Sequence, residues 1–150
     1  MYSGWGSWRL GSVVSKINND QRVKITREVL TVRELRKELS GRVEHFLEGY
    51  DVLNWNRSQI MHSTVAASTP TQDIFMKTQR DGRSAGRGVP LEELRLMADS
   101  MRDFTLFGKV LTNCLAHEPS AIQGDALVPL PDTPRMPQRW NYTTGPIPFR

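Results

Sequence analysis

Three histidines, His45, His62 and His117, and one cysteine, Cys114, are the side chains in this 150-residue sequence best suited to neutral-pH nucleophilic, acid–base or metal chemistry. The histidines lie far apart in the chain, and zinc-type Cys/His spacings are absent. His45 falls beside an apolar helical face, and His117 falls near a helix C-terminus, where a cation is favoured, so both are expected to be structural. Cys114 sits within an apolar helical pattern and is expected to be a buried thiol. As the single cysteine it forms no internal disulfide. A carboxylate dyad has no sequence signature, so acid–base chemistry must be judged from the fold. These residues predict no catalytic site, no metal and no cofactor.

Anion chemistry has one candidate. Asp81-Gly82-Arg83-Ser84-Ala85-Gly86-Arg87-Gly88 precedes a helical pattern, the setting of a phosphate-binding loop. It lacks the Gly-Lys-Ser/Thr ending, and no strand pattern leads directly into it. Arg80, Arg83 and Arg87 are therefore candidate phosphate or nucleic-acid contacts in a solvated loop, not a nucleotide cradle. The net charge of +4 and pI near 9.6 are only mildly basic, so the distribution matters more than the total. Positive charge gathers in residues 1–50, with nine Lys/Arg against six acids, and again around the arginine-glycine stretch.

Partner chemistry is carried by aromatics in segments that cannot build a core of their own. Residues 1–12 place Tyr2, Trp5 and Trp8 among glycines and serines. Residues 120–150 hold six prolines together with Trp140, Tyr142 and Phe149, a composition suited to an extended or polyproline-like run. Trp5, Trp8, Trp140, Tyr142 and Phe149 are the candidate partner-binding residues. Pro134-Arg135-Met136-Pro137-Gln138-Arg139 also matches the Pro-x-x-Pro-x-Arg pattern read by aromatic grooves, against which stands an ordered strap packed on this chain or on a neighbour.

The elements that must position these groups follow from periodicity. Val23 and Ile25 alternate with Arg22, Lys24 and Thr26 after Asn18-Asn19-Asp20, which predicts a β-hairpin over 13–27. Thr31-Val32-Arg33-Glu34 predicts a capping box, opening a helix with the stripe Val32, Leu35, Leu39, Val43, Phe46 and Tyr50. Ser40-Gly41 is a weak point costing about 1 kcal/mol relative to alanine, and Gly49 to Asp51 closes the segment. Pro90, Glu92 and Glu93 open a second helix with a stripe from Leu91 to Leu115. Gly108 on that seam should admit a close neighbour, and Pro119 should end the helix.

The sequence thus predicts an α+β fold: an N-terminal β-hairpin packed on two main amphipathic helices, with an extended Pro/aromatic C-terminal tail. Its divisions are an arm over 1–12, one domain over 13–118 with a loop at about 66–89, and a tail over 119–150. The expected function is a non-enzymatic structural or assembly subunit that binds other protein chains, or copies of itself, through arm and tail. A basic nucleic-acid-binding accessory protein and a membrane-surface adaptor are the alternatives. No apolar run approaches a membrane span and no secretory signal opens the chain, so membrane partnership is disfavoured and an intracellular location expected. Cytoplasm, virion and organelle matrix are not distinguished.

Overall fold

A computed structural model describes residues 18–33, 35–68, 74–80, 83–122 and 128–141 of the chain. The body is mostly helical, which overturns the expected α+β fold, and the hairpin expected over 13–27 does not exist among these residues. Instead α1 spans Asn19–Val32. Its start is a capping box: the Asn18 side chain accepts from the Gln21 amide at 2.8 Å, and the Gln21 side chain accepts from the Asn18 amide at 3.2 Å. The Asn-Asn-Asp read as a turn is thus a helix cap. Val23 and Ile25, which would share a face in a strand, fall on opposite sides of the helix. Val23 is buried and Ile25 exposed.

The predicted capping box at Thr31 also fails. Thr31 lies in the last turn of α1, where its hydroxyl donates to the Glu28 carbonyl, and Glu34 lies outside the described residues. The following helix, α2, spans Lys37–Met61 with Arg36 as an N-cap that makes no side-chain cap bond. Glu118, far along the chain, serves that end instead, accepting from the Arg36 amide at 3.2 Å. Neither Ser40-Gly41 nor Gly49 interrupts α2, which supplies Leu39, Val43, Leu47, Leu53 and Asn56 to the interior.

Three antiparallel strands, β1 (Thr64–Ser68), β2 (Ile74–Arg80) and β3 (Arg83–Val89), run in the order β1-β2-β3 through the stretch expected to be a loop. The register shifts between Val65 and Ala67. The last helix, α3, spans Leu91–Ile122. It continues past Pro119, because a proline this close to a helix end removes one bond without dismantling the remaining turn.

Two buried clusters order the helices. Leu39, Val43 and Leu47 of α2 pack with Phe107, Leu111 and Cys114 of α3, and Val23 of α1 joins them. Leu53 packs with Met97 and Phe104, and with Val89 and Trp140 from outside the helices. Residue numbers rise along α2 as they fall along α3, so the pair is antiparallel. Cys114 is buried, as its sequence setting implies. Gly108 admits the Phe46 ring, which would lie 2.6 Å from a Cβ placed there.

Candidate functional site

The proline-rich segment 128–141 lacks regular structure and runs along α2 as a strap. Prolines remove amide donors, which leaves the strap rich in carbonyls that need partners. Side chains of α2 and its cap supply them in sequence order. Arg36 donates to the Val128 carbonyl at 3.0 Å, Arg42 to that of Pro131, and the ring Nε2 of His45 meets that of Pro134 at 2.8 Å. Further along, Trp55 Nε1 donates to the Trp140 carbonyl at 2.9 Å. The Asn56 amide group donates to the Gln138 carbonyl while its oxygen accepts from the Trp140 amide, both at 2.9 Å. The Arg139 guanidinium lies 4.4 Å from the Trp55 ring centroid.

This arrangement corrects one candidate. Trp140 is 4% exposed and belongs to the second buried cluster, so its ring is spent on this chain's own core. The Pro-x-x-Pro-x-Arg segment is likewise held by His45, Asn56 and Trp55. Trp5, Trp8, Tyr142 and Phe149 lie outside the described residues. Asn56 opens an Asn-Arg-Ser sequon but is buried and doubly bonded, which withholds it from modification.

Arg80 ends β2, and Arg83 and Arg87 lie on β3. The register pairs Arg80 with Arg83 and Met76 with Arg87. The segment Gly82-Arg83-Ser84-Ala85-Gly86 carries the Gly-x-Ser-x-Gly spacing of a hydrolase nucleophile. Ser84 sits inside β3, paired with Gln79, not on the strand-to-helix turn that such a nucleophile requires. His45 stacks on Phe104 and bonds the strap, and His117 bonds its own helix through the Asn113 carbonyl. Among the described residues, no group of three or more His, Cys, Asp or Glu is placed to hold a metal ion.

Two other features stand open. A groove of about 530 Å³ lies between α2, α3 and the start of α1. Its floor is Phe46, Tyr50, Leu53, Met101 and Phe104, and Arg57 and Lys109 stand among its lining residues. The second feature is the outer face of α1. Ile25, Val29 and Val32 follow the i, i+4, i+7 spacing of one helical stripe and are 44%, 54% and 85% exposed. Val23 and Leu30 occupy the opposite face and pack inward. The sequence held this signal, since the apolar residues of 23–32 cover two helix faces, but a strand reading hid it. Arg27, on the inward side, pairs with Glu44 at 2.7 Å. The hydrogen bond to that carboxylate raises the guanidinium pKa above its ordinary value.

Among the described residues, no helix is long and apolar enough to cross a membrane. Comparison with protein-family models, with curated proteins and with solved structures found no match to this chain.

Proposed function

We propose that this chain is a non-enzymatic helical assembly subunit whose α1 helix joins it to another protein chain. One observation carries the reading: α1 is apolar on two opposite faces, and among the described residues the body of the chain covers only one of them. A helix of a free-standing domain needs one apolar stripe, and a second stripe is characteristic of a helix buried on both sides. The occupant that fits is an apolar helix face, and a second copy of this chain is its simplest source. The expected signature is association that rises with concentration and is lost in Val29→Glu, with the thermal midpoint unchanged at a dilution where the wild type is itself monomeric. Light scattering on the full chain reads this directly. A wild-type chain that stays monomeric at high concentration, with a Val29→Cys thiol that labels at the rate of a free peptide thiol, would sink the self-association form of the proposal.

A second reading, nucleic-acid binding, is supported by three arginine positions, Arg80, Arg83 and Arg87, on two paired strands. Three phosphate contacts would give an affinity falling with salt at a log–log slope of about −2 to −3. Anisotropy with a single-stranded RNA and a duplex DNA at low and moderate salt tests it. No binding at low salt removes the reading.

A further inference from the structure

We infer that the groove between α2, α3 and the start of α1 is a binding site for a small apolar acid, a medium-length hydrocarbon carrying one carboxylate. Its volume of about 530 Å³ falls within the range typical of small-molecule sites. The floor is aromatic and aliphatic, which favours a ligand body without polar groups. The charge of the lining decides the head group: Arg57 and Lys109 belong to it, and no Asp or Glu does. Both cations are exposed, and among the described residues neither is held in an ion pair or hydrogen bond. An uncommitted cation beside an apolar floor offers an anchor for an anionic end joined to an apolar body.

The nearest alternative occupant within the chain is the segment before Asn18, because Asn19 itself lines the groove. Residues 1–17 carry Arg9 and Lys16 and no acid, so their charge repeats that of the lining instead of complementing it. The outer stripe of α1 does not line the groove, so association through that stripe and ligand binding here are separate properties, measured separately.

The test uses the full chain with labelled methionine methyl groups and dodecanoate, kept below its micelle concentration, as the probe. Met101 lines the groove, whereas Met61 and Met136 are exposed away from it and serve as controls. Dodecanoate is expected to shift Met101 saturably and to leave the two controls in place. Neutral dodecanol should bind about tenfold more weakly, and the double variant Arg57→Gln, Lys109→Gln should lower dodecanoate affinity by about tenfold without changing that of dodecanol. Equal affinity for acid and alcohol, an unmoved Met101, or a double variant that binds like the wild type would each overturn the inference. So would a Met101 shift produced by Trp5→Ala with Trp8→Ala in the absence of ligand, since the groove would then belong to the N-terminal arm.

Discussion

Phe104 of α3 fills the space that Gly49 of α2 leaves by having no side chain, and a methyl group built on Gly49 would overlap the Phe104 ring. The relationship is reciprocated nearby, where Phe46 of α2 fills the space left by Gly108 of α3. The ring centroids of Phe46 and Phe104 lie 6.4 Å apart, with their planes inclined at 29°. Two helices thus exchange a ring for a glycine in both directions, which fixes their register as well as their spacing.

Gly49→Ala is therefore expected to destabilise the chain by about 1–3 kcal/mol, although alanine is the better helix former. Gly41 supplies the control. It lies in the same helix with nothing near a placed Cβ, so Gly41→Ala should stabilise by about 0.5–1 kcal/mol. Urea unfolding of the two variants should move in opposite directions. A shift of the same sign in both would show that the Gly49 contact does not limit the helix pair.

The strap is expected to be part of the folding unit. Asn56→Leu removes the partner of both the Gln138 carbonyl and the Trp140 amide, at a cost of about 1–3 kcal/mol. Trp140→Ala should cost about 3–5 kcal/mol, because its ring closes the second cluster. Thermal melting measures both. If either variant melts with the wild type, the strap is an appendage to a body that is complete without it.

The two Arg–Glu pairs should respond differently to truncation. Arg36 lies 3.3 Å from the buried carboxylate of Glu118, so Arg36→Met leaves that charge uncompensated and should cost about 3 kcal/mol or more. Pairing it with Glu118→Leu should recover most of the loss. Arg27 and Glu44 are both about half exposed, and Arg27→Met should cost no more than about 1 kcal/mol. Equal costs in denaturant melts would contradict the difference in burial.

Substitution on the outer face of α1 should separate association from stability. At a dilution where the wild type is itself monomeric, Val29→Glu is expected to stay within about 0.5 kcal/mol of it, and at high concentration to keep the mass of a monomer where the wild type associates. Loss of stability at that dilution would instead place Val29 in this chain's own core.

Several features were decided along the sequence itself. The stripe from Leu91 to Leu115 makes a helix from any reading, and Pro90 with the acids behind it marks where α3 begins. Cys114 within that stripe had to be buried, and Gly108 on the seam had to admit a neighbour. These signals are local, since a helix of this length shows its inward face many times over. Residues 19–32 were ambiguous for the opposite reason. A short segment with apolar residues at 23, 25, 29, 30 and 32 satisfies a strand alternation over its first half and two helical stripes over its whole length. The Asn18–Gln21 capping box and the docking of Val23 against α2 and α3 resolved it. The roles of Trp140, Asn56 and Glu118 were legible only in three dimensions. Each meets partners more than eighty residues away, where proline-bearing carbonyls need donors and a helix end needs an acceptor. Sequence spacing carries no record of such pairings, because they depend on how far the folded chain returns upon itself.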